Sequence, residues 1–135
     1  MKKTVILDTN FLIAQFAHKL DVFQELDELG DDRGYRFELI VPSTVLDELS
    51  AIAAWKGKWA GSAAGALAML KAKITRGAVK VMKTNQSVDP WIIGKASEKP
   101  ADFVVCTNDR ALRENLKKLG VKVILVRGQR KLFYS

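Results

Sequence analysis

Apolar residues follow two alternating patterns along the chain, short unbroken runs and longer stretches with helical spacing. The short runs are rich in β-branched residues and predict strands that are buried on both faces of a parallel sheet. We expect five such strands, at residues 3–7, 37–41, 79–82, 103–106 and 121–126.

Between these strands, apolar residues recur at three- and four-residue intervals, which predicts amphipathic helices. The stretch 11–29 indicates two helices separated near residues 19–21, and the polar segment Gly30–Gly34 predicts a turn. Pro42 suits the first turn of the next helix, with Ser43 as a nearby cap. That helix has its apolar positions within residues 45–53, and the later helices are expected at 60–74, 90–97 and 109–119.

Strand and helix alternate from end to end, which predicts a three-layer α/β/α fold with a central parallel sheet of about five strands. The 135 residues, 48% of them apolar, suit a single domain across residues 1–135. The one cysteine, Cys106, allows no intrachain disulfide and favours a reducing, cytoplasmic setting. Only a short apolar run follows Lys2 and Lys3, so we expect no signal peptide. No apolar run reaches the ~18 residues of a membrane span, so we expect a soluble protein.

Charge is distributed unevenly along the chain. Residues 1–48 carry ten acidic and five basic side chains, a net charge of −5, whereas residues 49–135 carry five acidic and 17 basic ones, a net charge of +12. This basic excess favours a polyanionic partner, most simply a nucleic acid. The alternative is that Lys and Arg merely solvate exposed helix faces.

Acidic side chains lie near the ends of the predicted strands. In an open parallel α/β sheet, ligands bind beyond the carboxyl ends of the strands. Asp8 directly follows the first strand, and Asp109 closes the triplet Thr107-Asn108-Asp109 after the fourth. Glu48 lies on the helix after the second strand, and Asp89 opens the helix that precedes the fourth. We therefore expect these four carboxylates to converge on one edge of the sheet.

Clustered carboxylates repel one another unless a cation neutralises them, and Mg²⁺ or Mn²⁺ takes such oxygen ligands. An ion held in this way can activate water and polarise a phosphodiester, so the cluster indicates phosphodiester cleavage. The alternative for Asp8, Asp89 and Asp109 is an ordinary cap or turn position, and for Glu48 a solvated helix position. Caps have no need to gather at one sheet edge, whereas the ligands of a metal ion do.

Three segments resemble the signature motifs of PIN-domain nucleases, in the same order along nearly the whole chain. They are VILDTNFL at 5–12, VPSTVLDEL at 41–49 and VVCTNDRAL at 104–112. DTNFL, with the later LDVFQEL, is most similar to the branch that includes the endonuclease of small-subunit ribosomal RNA processing and its prokaryotic relatives. The resemblance implies a metal-dependent endoribonuclease built on a central parallel sheet.

The resemblance also implies roles for individual residues. Four acids match the family's catalytic and metal-binding positions, with Mg²⁺ or Mn²⁺ as cofactor: Asp8, Glu48, Asp89 and Asp109. Asn10 and Thr107 match polar positions that hold the site together by hydrogen bonding. The partners implied are RNA and a second copy of the chain in a homodimer.

Two alternatives to this interpretation remain open. One is a ribonuclease toxin neutralised by an antitoxin, since the chain resembles such toxins in the same acids. The other is a catalytically silent RNA-binding or ribosome-assembly module, because Pro90 follows Asp89 where many members of the branch have paired acids.

The helix that starts at Asp109 is predicted to carry a basic face. Arg110, Arg113 and Lys117 follow three- and four-residue steps, so they share one side of the helix and begin near the acids. We expect this face to bind RNA phosphates, with a solvated helix face as the alternative. The tail, residues 127–134, extends the same surface or pairs as an edge strand.

Two tryptophans alternate with lysines in the segment WKGKW, residues 55–59. If exposed, this segment could stack bases and hold phosphates, and if buried, its indoles pack between two helices. Tryptophan is highly buried on average, which favours packing. The only histidine, His18, has no carboxylate at ligand spacing, so we expect it on the surface.

Overall fold

Strands and helices alternate through the part of the chain that this computed structural model describes, residues 2–127 and 131–134. The strands are β1 (Lys2–Leu7), β2 (Arg36–Pro42), β3 (Val79–Met82), β4 (Phe103–Cys106), β5 (Lys122–Arg127) and β6 (Lys131–Tyr134). The helices are α1 (Thr9–Ala17), α2 (Val22–Arg33), α3 (Ser43–Ala54), α4 (Ala60–Thr75), α5 (Val88–Ser97) and α6 (Arg110–Lys118). A short 3₁₀ turn, Pro100–Asp102, precedes β4.

The strands form one sheet in the order β3-β2-β1-β4-β5-β6. Strands β1 to β5 are parallel, with Ile6 of β1 paired to Ile40 of β2 on one side and to Val105 of β4 on the other. Strand β6 runs antiparallel to β5. The predicted α/β fold with five parallel strands is confirmed. The tail pairs as an edge strand at Lys131–Tyr134, while residues 128–130 lie outside the described part.

Helices cover both faces of the sheet. All four residues of β4 are buried, as are Val5, Ile6 and Leu7 of β1, and such strands need packing on both sides. Helices α1, α3 and α4 contact one another, and α5 contacts α6. Within the described residues, no helix combines the length and apolar character that crossing a bilayer requires.

The order of the strands places a crevice beside β1. The chain builds β1, β2 and β3 outward to one edge, then returns to pair β4 with the other side of β1. In sheets of this kind, ligands bind where the strand order reverses, beyond the carboxyl ends. The Asp8 N–H donates to the Cys106 carbonyl (3.0 Å), so the ends of β1 and β4 lie side by side at that point.

The predicted turn at Gly30–Gly34 is wrong, because α2 continues through Arg33 and only Gly34 leaves the helix, with a φ of 71°. Gly30 is buried, and a Cβ there would lie 2.8 Å from the carbonyl oxygen of Tyr35. The glycine therefore lets the following segment pack closely against the helix rather than breaking it. The polar residues after Gly30 lie on the exposed side.

Two local expectations around the helix starts are also corrected. Ser43 does not cap α3, because its hydroxyl donates to the Thr84 carbonyl (2.9 Å) and accepts from the Thr84 N–H (3.0 Å). Pro42 ends β2 and takes the N-cap position instead. Helix α5 begins at Val88, so Asp89 lies inside its first turn rather than just before it.

The expectation that the tryptophans pack between helices is wrong. Trp55 is 79% exposed and Trp59 is 49% exposed, in the loop between α3 and α4. Helices α3 and α4 pack directly against each other, and the buried positions of α4 include the small residues Ala63 and Ala66. The indoles therefore stay outside the helix pair.

Candidate functional site

Asp8 lies at the centre of a buried hydrogen-bond network at the carboxyl end of β1. Its side chain is only 3% exposed. One carboxylate oxygen, Oδ1, accepts from the Thr9 N–H (2.9 Å), and the other, Oδ2, accepts from the Thr107 hydroxyl (2.6 Å). Asp8 is thus the N-cap of α1, which was the alternative considered for it from the sequence. It also accepts a hydrogen bond from Thr107 at the end of β4.

The electrostatic surroundings of Asp8 oppose its ionisation. The pKa of Asp8 is raised from the ordinary 3.8 to about 6, chiefly because the carboxyl group is buried. The hydrogen bonds from Thr107 and Thr9 act in the opposite direction, and the negative charges of Asp89 and Glu48 add to the effect of burial. Three of the four predicted acids are therefore close enough to influence one another's charge.

Thr9 connects Asp8 to Glu48. The Thr9 hydroxyl donates to Glu48 Oε1 (2.6 Å), while the Thr9 N–H donates to Asp8. Thr9 is buried, whereas Glu48 is exposed on α3. Thr9 was not among the residues predicted from the sequence to support the acids, which were Asn10 and Thr107. The signal was present, because Thr9 stands inside the DTN triplet itself.

Asp89 and Asp109 complete the acid cluster from the side of α5 and α6. Asp109 is the N-cap of α6, and its Oδ1 accepts from the Leu112 N–H (2.8 Å). Asp89 is exposed, and its pKa is raised by partial burial and then by the charges of Asp109 and Glu48. The structure therefore brings Asp8, Glu48, Asp89 and Asp109 into one electrostatically coupled cluster.

Thr107 and Asn10 join the two central strand ends beneath this cluster. Besides donating to Asp8, the Thr107 hydroxyl lies 3.3 Å from Asn10 Oδ1 and accepts from the Asp109 N–H (3.1 Å). Asn10 Oδ1 also accepts from the Asn108 N–H (2.9 Å). Both side chains thus contact the segment that carries Asp109.

Asn108, a second residue for which no role was predicted, joins this segment to β5. Its amide donates to the Val126 carbonyl (3.0 Å) and accepts from the Val126 N–H (2.9 Å). The side chain therefore continues the β-ladder beyond the end of β4 and fixes the start of α6 against β5.

Comparison with known proteins shows which family the chain belongs to. Residues 5–129 match the model of the PIN like domain family. The chain belongs to the PIN domain family. Ribonuclease VapC4 of Methanocaldococcus jannaschii is 32% identical over 132 residues, covering 96% of this chain and 93% of that protein. Ribonuclease VapC9 of Archaeoglobus fulgidus is 27% identical, covering 97% and 88%.

Among solved structures, the PIN domain endonuclease Utp24 shares the fold of this PIN domain. Its TM-score is 0.75 at 20% identity, covering 98% of this chain and 90% of that chain. A domain of a Methanocaldococcus jannaschii protein of unknown function has a TM-score of 0.62, also at 20% identity. The resemblance to PIN-domain nucleases read from the three sequence motifs is confirmed.

The acid cluster of this PIN domain consists of carboxylates, whose oxygen atoms are the ligand type that Mg²⁺ takes. Nucleases of the family generally depend on a divalent metal ion. Within the described residues, no three His, Cys, Asp or Glu side chains are arranged to hold one ion directly. Mg²⁺ usually keeps several waters and needs only one or two protein carboxylates, so the coupled acids suit a partly hydrated ion. Burial and the neighbouring negative charges disfavour the ionised form of Asp8, and a bound cation would stabilise that form.

The predicted basic face begins directly beside Asp109, at the start of α6. Arg110 is exposed and pairs with Glu114 (3.2 Å), Arg113 is half-buried, and Lys117 is exposed. An exposed ion pair of this kind is weak, so Arg110 can exchange Glu114 for another anion. His18 is exposed at the end of α1, as predicted, and takes no part in the acid cluster.

Proposed function

We propose that this PIN domain is an endoribonuclease that uses Mg²⁺ or Mn²⁺ to hydrolyse RNA. The observation that carries the proposal is the convergence of Asp8, Glu48, Asp89 and Asp109, which come from four separate parts of the chain. Helix capping alone gives no reason for these acids to share one electrostatic cluster. The ribonuclease relatives support RNA as the substrate.

We assign the metal to all four acids, bound directly or through its waters, with Asp8 and Asp109 as the principal ligands. Both are held in place by hydrogen bonds to backbone N–H groups at helix starts. When bound, the ion would supply an activated water and neutralise charge that develops on the scissile phosphate.

The groups around the acids keep the carboxylates in position. The Thr9 hydroxyl and N–H hold Glu48 and Asp8 together, and the Thr107 hydroxyl holds the second oxygen of Asp8. Asn10 fixes the segment that carries Asp109. Such supporting contacts orient metal ligands and strengthen binding, which is the role we propose for Asn10 and Thr107.

RNA would approach along the basic side of the cluster. Arg110, Arg113 and Lys117 lie on α6, which starts at the acids, so a strand lying over the metal would place further phosphates along this helix. The net charge of +12 in residues 49–135 favours the same approach.

Cleavage of a labelled single-stranded RNA tests the proposal. The protein is incubated with Mg²⁺, Mn²⁺ or a chelator, beside the variants Asp8→Asn, Glu48→Gln, Asp89→Asn and Asp109→Asn. Asp47→Asn, an exposed neighbour of Glu48 on α3, is the matched control. We expect metal-dependent cleavage that Asp8→Asn and Asp109→Asn reduce by more than the roughly 10- to 100-fold typical of losing a supporting group.

Retained cleavage in the chelator, or equal activity of all variants, would contradict the metal assignment. RNA binding without cleavage, unchanged by Asp8→Asn, would instead identify a silent RNA-binding or ribosome-assembly module. The activity of Asp89→Asn shows whether Asp89, which is followed by Pro90 rather than by a second acid, contributes to cleavage.

The biological setting has two candidates within this activity. The DTNFL and LDVFQEL segments favour ribosomal RNA processing, whereas the likeness to the two VapC ribonucleases favours a toxin held by an antitoxin. Growth arrest on expression, relieved by the product of a neighbouring gene, would support the toxin. Normal growth with active enzyme would support RNA processing.

A further inference from the structure

Two exposed tryptophans form an unusual feature of the surface. Trp55 and Trp59 are 79% and 49% exposed, and they flank Gly57 in the loop between α3 and α4. Large apolar side chains grouped on a surface mark binding sites more often than isolated ones do. The nuclease chemistry proposed above makes no use of them.

The tryptophans border an apolar groove between α1 and the α3–α4 loop. A cavity of about 330 Å³ adjoins one of about 270 Å³, and Ile52 and Trp59 line both. Ile13 and Ala14 of α1 line the first cavity, and Trp55 lines the second. The groove therefore offers flat aromatic and aliphatic surface open to solvent.

One end of the groove lies beside the residues that support the acid cluster. Asn10 lines the first cavity, and the same side chain contacts Thr107 and Asn108 beneath the acids. On the other wall, Ile52 lies one helical turn after Glu48, which places the two on the same side of α3. A strand whose phosphate lies at the acids could therefore extend a neighbouring nucleotide into the groove.

Positive charge accompanies the tryptophans. Lys56 and Lys58 are exposed in the same loop, and Lys58 Nζ lies 5.1 Å from the centre of the Trp59 ring. Residues 49–88 carry seven basic side chains and no acidic one. Charge of this sign beside aromatic rings complements a chain that combines planar bases with phosphates.

We propose that this groove binds an unpaired nucleotide of the RNA substrate next to the scissile phosphate, with its base stacked on Trp59 or Trp55. Lys56 and Lys58 contact the adjoining phosphates. The inference rests on the proposed function, whose substrate class it narrows to RNA that is single-stranded at the cleavage site. Stacking needs no particular base, so the groove selects strandedness rather than sequence.

Binding without metal tests this inference separately from cleavage. A labelled single-stranded RNA of 12 nucleotides and an abasic RNA of the same length are titrated in a chelator, with wild type, Trp55→Ala and Trp59→Ala. We expect at least one tryptophan variant to lose roughly 5- to 150-fold in affinity for the RNA that carries bases. The affinity for abasic RNA stays unchanged, because phosphate contacts are retained.

Matched controls isolate stacking from other effects. Leu119→Ala removes an exposed apolar side chain at the end of α6, outside the groove, and should leave both affinities unchanged. The double variant Lys56→Gln, Lys58→Gln should lower the salt dependence of binding by about 0.7 per lysine, in log Kd against log salt. Lys71→Gln, exposed on α4, should not.

Equal affinity of wild type and both tryptophan variants for base-containing RNA would overturn the inference. It would also be overturned if the variants dissociated a dimer in sedimentation while RNA affinity was unchanged, since the groove would then bind a second copy. If cleavage depends on metal but RNA affinity does not depend on the tryptophans, the proposed nuclease activity is supported and the nucleotide-binding groove is overturned. If RNA affinity depends on the tryptophans but no cleavage occurs, the groove is supported and the nuclease activity is overturned.

Discussion

Replacing Asp8 by Asn should stabilise the metal-free protein at neutral pH, although it should abolish cleavage. Asp8 is 3% exposed, and burial, with smaller contributions from Asp89 and Glu48, raises its pKa from 3.8 to about 6. An acid with a higher pKa in the folded state binds protons on folding between these two values. Stability is therefore lost as the pH rises from about 4 to about 6, and the full cost remains above that window.

The magnitude follows from the shift. The interval between 3.8 and about 6 corresponds to an upper limit of about 3 kcal/mol at pH 7.5. Asparagine removes the charge, keeps an oxygen for the Thr9 N–H and offers its amide to the Thr107 hydroxyl. That hydroxyl can then donate to Asn10, so we expect Asp8→Asn to gain about 1–3 kcal/mol.

Urea unfolding followed by far-UV circular dichroism, in a chelator at pH 7.5 and at pH 4, measures this gain. We expect a higher midpoint for Asp8→Asn at pH 7.5 and little difference at pH 4, where the aspartate is already protonated. Asp102→Asn, an exposed acid outside the cluster, should change neither. A destabilised Asp8→Asn protein at pH 7.5, or an equal gain at both pH values, would refute the reasoning.

Three further predictions follow from the same contacts. Mg²⁺ should raise the unfolding midpoint of wild type increasingly with its concentration, because it binds only the folded protein, but should not raise that of Asp8→Asn. An equal rise in both proteins would contradict the assignment of Asp8 as a metal ligand. Thr9→Val should reduce cleavage roughly 10- to 100-fold, because Glu48 loses the hydrogen bond from the Thr9 hydroxyl. Thr9→Ser keeps the hydroxyl and should keep the activity, so a loss of cleavage in both variants would indicate a packing defect instead. Gly30→Ala should cost about 1–3 kcal/mol in urea unfolding, since its Cβ would approach Tyr35, whereas Gly61→Ala, with open space, should not.

The strands and the place of the acids could be predicted from local sequence. Buried parallel strands show as unbroken apolar runs, and the polar residue that ends such a run marks the carboxyl edge of the sheet. Asp8 and Asp109 follow this rule directly. Alternating strands and helices predict the parallel sheet, whereas the return of the chain that pairs β4 with β1 and brings these two acids together is not visible in the local sequence.

Contacts between distant elements could not be predicted in this way. The bond from Thr9 to Glu48 depends on how α1 packs against α3, 39 residues away along the chain. The exposure of Trp55 and Trp59 depends on the close approach of α3 and α4, which average tryptophan burial does not reveal. A turn was predicted at Gly30 because polar residues follow it, whereas the glycine is required because the Tyr35 carbonyl approaches it too closely for a side chain.

A circular single-stranded RNA gives the most direct test of the central claim, because it has no ends and only internal cleavage can linearise it. Wild type and Asp8→Asn are purified side by side and incubated with this RNA and Mn²⁺, with a chelator as the blank. We predict a linear product only when wild type and Mn²⁺ are both present. Linear RNA from the Asp8→Asn protein at the same rate, or none from wild type with Mn²⁺, would contradict the assignment of a metal-dependent endoribonuclease centred on Asp8.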